Sequence, residues 1–347
     1  ELPSKRSCFA PSALCSRMAW SWHVCPAMRV LNRLRRKRHT AFKPVVLVTG
    51  CSSGVGLRLA LQLVAEGGYR TVLTARSSSL SQLRESGLQE SDDLWLRPLD
   101  VTDPAQRVEL IREITSYWSG VNVLVNNAGI SYRAVVEHMS EREELHQLAT
   151  NYLGPMALIR LVLHHMRALG RGKIINVSSV SGMLAMPTMS AYSASKFALE
   201  GASEALWYEL RPLGVNVTLV QPGFIRSNSF RNVYYSAKAE RCEPESEQAY
   251  ADYYRYMVPF IGHMMNSSLA TPDKVARKII GIIKTERPPL RVPATIDASV
   301  FYYLRRLLPR RVFHRVLFAL LPHTRRWGRN YSHARHLPHK PPSQLGG

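Results

Sequence analysis

From residue 45 onward, short apolar runs alternate with longer stretches whose apolar residues recur every three or four positions. Val45–Thr49, Thr71–Ala75, Leu94–Leu99, Val121–Asn126, Lys173–Val177 and Val215–Gln221 are compact and rich in β-branched residues, so each predicts a strand. Between them, Gly54–Glu66, Pro104–Trp118, Glu141–Leu169 and Tyr192–Leu213 predict helices. Asp103 stands where an N-cap belongs, with Pro104 at the first helical position. Asn151, Gly154 and Pro155 interrupt the third helix and predict a bend there. Strands that are apolar throughout must be covered on both faces. The expected fold class is therefore α/β, a doubly wound parallel sheet whose ligands bind at the carboxyl ends of the strands.

The rhythm stops after Pro222-Gly223. Residues 224–270 hold Tyr234, Tyr235, Tyr250, Tyr253, Tyr254, Tyr256 and Phe260, with Met257, Met264 and Met265. An insertion at that point lies over the carboxyl edge of the sheet, and its aromatic and Met side chains suit a lid over a large apolar ligand. Packing into a small core of the insertion's own is the competing use of the same residues. A helix, Pro272–Lys284, and a strand, Leu290–Val292, follow. Beyond them, apolar residues at 300, 301, 304, 307 and 308, then 312, 313, 316, 317, 320 and 321, predict two short helices parted by Pro309. Arg305, Arg306, Arg310, Arg311 and Arg315 lie between these positions, the pattern of a helix lying in a membrane interface. Docking on the protein's own core or on a second subunit would use the same spacing. The expected organisation is a basic extension (1–43), one catalytic domain (44–297) with its lid (224–270), and an amphipathic helical tail (298–347).

The chain has 347 residues, of which 46% are hydrophobic, enough for a sizeable core. Its formal charge of +21 resembles that of a nucleic-acid binder until it is located. Residues 1–43 carry ten Lys/Arg and one acid, and residues 298–347 carry ten and no acid, so the middle is nearly neutral. Charge confined to two arms, without a stacking or reader motif, predicts no nucleic-acid partner. No run of about 18 apolar residues occurs, so a peripheral attachment to an anionic, cytoplasmic membrane face is expected. Residues 1–27 fit upstream translation or a processed leader, since Met28 opens the basic segment that leads into the first strand. An Arg-rich, acid-poor N-terminus also fits a mitochondrial transit peptide. Five irregularly spaced Cys predict neither a disulfide framework nor a metal site.

Thr49-Gly50-Cys51-Ser52-Ser53-Gly54-Val55-Gly56 joins the first strand to the first helix. Gly50 and Gly54 let backbone amides approach a pyrophosphate, Gly56 allows close helix–strand packing, and the helix N-terminus favours the phosphate charge. Its place between a strand and a helix predicts the phosphate-binding turn of a Rossmann sheet, against a glycine-rich turn that holds no ligand. A ribose-binding acid would stand near the end of the second strand, yet residues 71–84 have none before Glu85. Arg76 stands there instead, with Ser77 and Ser78 beside it, which predicts a 2′-phosphate and hence NADP(H).

Ser179, Tyr192 and Lys196 are spaced Ser-x12-Tyr-x3-Lys, and the last two share one face of a helix. A Tyr titrates near ~10, too high for a base at neutral pH. A neighbouring ammonium and a positive nicotinamide ring would both favour the phenolate, making Tyr192 a proton exchanger for an alcohol or carbonyl oxygen. Ser179 could hold the same oxygen.

Taken in order, the Thr49–Gly56 loop, Asp100-Val101, Asn126-Asn127-Ala128-Gly129, Asn151, Ser179, Tyr192-Ser-Ala-Ser-Lys196 and Pro222-Gly223 resemble the short-chain dehydrogenase/reductase family. The resemblance is close over about 45–225 and looser to about 295. It implies that Asp100 and Val101 meet the adenine, that Asn126 supports the sheet, and that Asn127, Ala128 and Gly129 border the cofactor. It further implies that Asn151 holds the helix bend and a water relaying protons to Lys196, giving a catalytic set of Ser179, Tyr192, Lys196 and Asn151. Pro222, Gly223 and Ile225 would flank the nicotinamide, with Ser227 where the family usually has Thr. The Thr-Gly-Cys-Ser-Ser-Gly-Val-Gly-Leu and Tyr-Ser-Ala-Ser-Lys-Phe-Ala-Leu-Glu-Gly phrases and Arg287-Pro-Pro-Leu-Arg291 are most similar to the 17-beta-hydroxysteroid dehydrogenase type 1 and retinol dehydrogenase branch. The resemblance thus implies an NADP(H)-dependent enzyme, expected as a homodimer, that interconverts a lipophilic alcohol and its ketone or aldehyde. A cofactor-bound regulatory or scaffolding protein of the same fold is the alternative.

Overall fold

The computed structural model describes residues 42–226, 233–242 and 249–327; the basic extension 1–41, Ser227 and the tail beyond Trp327 lie outside them. Strand β1 (Val45–Val48) leads into α1 (Gly54–Glu66), then β2 (Arg70–Ala75), the short α2 (Ser81–Glu85), β3 (Leu94–Pro98), α3 (Pro104–Trp118) and β4 (Val123–Asn126). A three-residue strand, β5 (Ser131–Arg133), precedes α4 (Glu141–Leu148), which passes through a π turn, Ala149–Leu153, into α5 (Gly154–Ala168). Next come β6 (Gly172–Val177), α6 (Ser190–Leu210) and β7 (Val215–Gln221). The rest comprises β8 (Val233–Tyr235), α7 (Ala237–Glu240), α8 (Ala251–Asn266), α9 (Pro272–Lys284), β9 (Arg291–Pro293), α10 (Ile296–Leu307) and α11 (Arg310–Leu320).

Seven strands form one parallel sheet in the order β3-β2-β1-β4-β6-β7-β9. The strand pleat sends alternate residues to opposite faces. Val46 and Val48 pack with Leu59 and Leu63 of α1 and Ile279 and Ile283 of α9. Val45 and Leu47 pack with Ile114 of α3, Leu158 and Ile159 of α5, and Leu210 of α6. Each face therefore has its own core, and the strands are largely apolar because both faces are buried. The order reverses between β1 and β4, so the crevice for a ligand opens above their carboxyl ends.

The bend expected between 141 and 169 is the π turn. Its wider coil places Asn151 inward, buried beside β4's exit. Gly154 follows because a Cβ there would lie 2.6 Å from the Val101 carbonyl. Within 224–270, the sequence pattern gave no elements, yet α8 forms with Pro259 inside it, and β8 pairs in parallel with β5 as a separate two-stranded sheet.

The tail folds back onto the domain. Phe313 of α11 is 5% exposed and packs with Val180, Met183 and Leu184, flanked by Phe301, Leu304 and Leu317. Trp327 stacks against Tyr253 of α8, with ring centroids 4.7 Å apart. The described part of this segment, 298–327, packs on its own domain along one side. Its outer side keeps Val300, Tyr303, Leu307, Val312, Val316 and Leu320 exposed.

Candidate active site

At the first turn, Gly50 has a φ of +70°, and a Cβ on it would lie 2.6 Å from the Ala128 Cα. Gly54 also has a positive φ, +56°. The loop is held from behind by Thr49, which is buried and does not line the cleft. Its Oγ1 accepts hydrogen bonds from the Asn127 and Ala128 amides, 3.0 Å each, while Asn127 Nδ2 donates to the Thr49 and Gly50 carbonyls. The N-terminus of α1 has neither a side-chain cap nor an acid in its first turn. Its free amides therefore face the cleft unopposed, a cradle that fits a pyrophosphate.

A cleft of about 320 Å³ runs from this turn along the carboxyl edge. Gly50, Ser52, Ser53, Gly54, Val55 and Gly56 line one end, with Arg76, Asp100 and Val101 beside them. Asn127, Ala128 and Gly129 form the floor, and Ser179, Tyr192, Lys196, Pro222, Gly223 and Ile225 surround the far end. Arg76 is exposed, and its serine neighbour in the cleft wall is Ser79 rather than Ser77 or Ser78, because a 3-10 turn over Ser77–Ser79 brings Ser79 round. Asp100 is fixed by Thr102, whose amide and hydroxyl both donate to Oδ1.

Tyr192 and Lys196 project from the first turns of α6, as a spacing of four on one helix requires. Ser179 ends the segment after β6, and its Oγ accepts from the Ser181 amide at 3.0 Å. Burial raises the Tyr192 phenol above its ordinary value, opposed by a hydrogen bond with Ser179 and then by the positive charge of Arg133. Lys196 Nζ donates to the Val177 carbonyl at 2.9 Å and sits 5.8 Å from the Tyr192 ring centroid. Its own pKa falls to about 8 because it is buried, an effect partly offset by the Glu200 carboxylate. Glu200 is held in turn by Gln221 and Arg291.

Asn151 does not line the cleft. Its Oδ1 accepts from the Ile130 amide, and its Nδ2 donates to the Ile130 carbonyl and to Ser195 Oγ. The side chain thus ties the π turn to the strand exit and to α6, a positioning role. Asn126 donates to Asn176 Oδ1 across the sheet, as a support beside the cleft would. Ser227 lies outside the described residues. Arg133 and His146 also line this end of the cleft, and both stand alone in sequence with no motif spacing to mark them.

A family model described as short chain dehydrogenase matches residues 44–237. The chain is 32% identical to retinol dehydrogenase 8 of Homo sapiens over 286 residues, 79% of this chain and 90% of that protein. It is also 32% identical to the 3-ketodihydrosphingosine reductase of Bacteroides thetaiotaomicron over 247 residues, 71% of this chain and 86% of the relative. Among solved structures, a short-chain dehydrogenase from Streptomyces avermitilis superimposes with a TM-score of 0.66 at 32% identity, covering 80% of this chain and 96% of that one.

Proposed function

This chain belongs to the short-chain dehydrogenase/reductase family, oxidoreductases acting on CH–OH groups, and from that premise we propose an NADP(H)-dependent enzyme that interconverts a lipophilic alcohol and its ketone or aldehyde. The observation that carries it is the convergence of Ser179, Tyr192 and Lys196 at the end of a cleft whose wall includes Met186, Met189, Phe224, Ile261 and Met265. Those side chains offer an adaptable apolar surface to a ligand larger than a simple alcohol.

In the reductive direction, the Tyr192 hydroxyl donates its proton to the carbonyl oxygen, which Ser179 holds by a hydrogen bond. Lys196 stands one helical turn behind and supports the proton balance of the phenol. The nicotinamide cofactor supplies or accepts the hydride and, when oxidised, a positive ring charge. Its phosphates would rest on the Gly50–Gly56 turn, and Arg76 would grip a 2′-phosphate. That Arg, with no acid between residues 71 and 84, favours NADP(H) over NAD(H).

The test is NADPH oxidation with retinal, a steroid ketone and a long-chain ketone, in the wild type and in Tyr192→Phe. The variant should lose nearly all turnover and bind NADPH within a few-fold of wild type. Retention of a tenth of the activity would remove Tyr192 from the acid/base role.

A membrane setting belongs to the same proposal. The exposed apolar side chains of α10 and α11 lie among Arg305, Arg306, Arg310, Arg311 and Arg315, and residues 298–327 contain no acid. No helix among the described residues is long and apolar enough to cross a membrane. A shallow, peripheral attachment to an anionic cytoplasmic leaflet fits both facts.

A further inference from the structure

Arg133 ends β5 and lines the substrate end of the cleft beside Tyr192. Its Nε and Nη1 are sealed from solvent and have no hydrogen-bond partner among the described residues. Its electrostatic neighbours are two phenols, Tyr192 and Tyr235, and no carboxylate. Val233 and Ile261 line both the cleft and the small space behind it together with Arg133, and no carboxylate among the described residues lines both. A guanidinium with two sealed, unpaired nitrogens is costly to the folded chain, and a wholly apolar substrate would leave it so. An anionic oxygen from the ligand would satisfy it. The space beyond Arg133, bounded by Thr188, Tyr235 and Tyr254, is only about 30 Å³, which suits a planar carboxylate better than a phosphate.

We propose that Arg133 is a specificity-determining residue that binds a carboxylate on the substrate, so that the enzyme acts on amphiphilic oxo- or hydroxy-acids with the anion a few bonds from the reacting carbon. The inference rests on the reaction assigned to Tyr192 and narrows its substrate. The apolar chain lies along Met189, Ile261 and Met265, the reacting oxygen meets Tyr192 and Ser179, and the carboxylate turns toward β5. The tail's apolar outer side and this cationic residue then serve one kind of molecule, an acyl chain bearing an acid.

The test compares 4-oxododecanoate with its methyl ester as substrates of the full-length protein with NADPH, in the wild type, Arg133→Met and Arg133→Lys. The wild type should prefer the acid. Arg133→Met should lose roughly ten- to hundredfold more in kcat/KM for the acid than for the ester, the excess appearing chiefly in KM, while the loss common to both reports the effect of its charge on Tyr192. Arg133→Lys should recover part of the acid's advantage. Equal losses on acid and ester would mean that Arg133 acts on Tyr192 alone and would overturn the inference, as would a wild type indifferent to the charge. A second measurement does not depend on turnover: dodecanoate should bind the NADPH complex of the wild type more tightly than that of Arg133→Met, and equal binding would count against the proposal. If neither ketone reacts while dodecanoate binding still depends on Arg133, the anion site stands and the reaction reading fails. The melting temperature of Arg133→Met should be at or above that of wild type, because an unpaired buried charge has gone; a fall of several degrees would make Arg133 a structural residue.

Discussion

Arg76 and Lys196 show how differently two cations serve one cleft. Arg76 is exposed at the end of β2 and free to meet a phosphate, so Arg76→Ala should weaken NADPH binding by roughly ten- to hundredfold and leave NADH binding nearly unchanged. Equal loss for both, measured by fluorescence titration, would assign it to structure. Lys196 is buried with a pKa of about 8, against an ordinary value of 10.5 that it regains on unfolding. Between those pH values the unfolded chain binds more protons, so rising pH favours the folded state. Urea unfolding at pH 7 and 9.5 should show a gain in stability for wild type that is smaller or absent in Lys196→Met. Both residues were legible because each occupies a fixed place in a motif. Arg133 was not: a lone Arg after Asn-Ala-Gly has the appearance of a solvated loop residue, and only the walls built by β8 and α8 enclose it.

At the level of elements, the seven-stranded sheet was legible because both faces are buried and its strands are largely apolar. Boundaries moved by one or two residues, as with β4, which starts at Val123 rather than Val121. The pairing of β5 with β8 left no mark, since Ser-Tyr-Arg and Val-Tyr-Tyr are three residues each and lie about a hundred positions apart. Helix α8 was obscured by Pro259 and by aromatic residues on more than one face. The bend in the long helix was legible from Asn151 and Gly154, but its form as a π turn depends on bonds to Ile130 and Ser195 made across the fold. Asn151→Leu should therefore cost about 1–3 kcal/mol of stability, by leaving the Ile130 amide unpaired while Gln147 still serves the Ile130 carbonyl, and should lower turnover without changing NADPH affinity greatly. Chemical denaturation alongside steady-state kinetics checks both parts.

Across the whole molecule, the tail is at once part of the fold and a surface. Phe313 is seated among Val180, Met183 and Leu184, so Phe313→Ala should destabilise the protein by about 3–5 kcal/mol and lower its melting temperature. For the same reason, deletion of the tail is a poor probe of membrane binding. Substitution on the outer side is a better one: Leu307→Glu with Arg310→Glu should leave the fold intact and reduce sedimentation with anionic liposomes, while added salt weakens the wild type's binding. Undiminished sedimentation of that double variant would place the membrane contact elsewhere. The charge map of the sequence could not say which apolar positions of the tail would turn inward, because that is decided by the loop after Ser179.

The start of the tail also reaches the cleft. Thr295 Oγ1 accepts from the Gly223 amide at 2.9 Å, and Asp297 Oδ2 accepts from the Phe224 amide at 2.8 Å. A Cβ at position 223 would fall 1.9 Å from that same Asp297 oxygen, so the two sites cannot both carry a side chain of ordinary size. Positions 223 and 297 are therefore bound in a genetic sense: Gly223→Ala should be far less harmful in an Asp297→Gly background than alone. In descendants of this chain, the two should drift together or not at all.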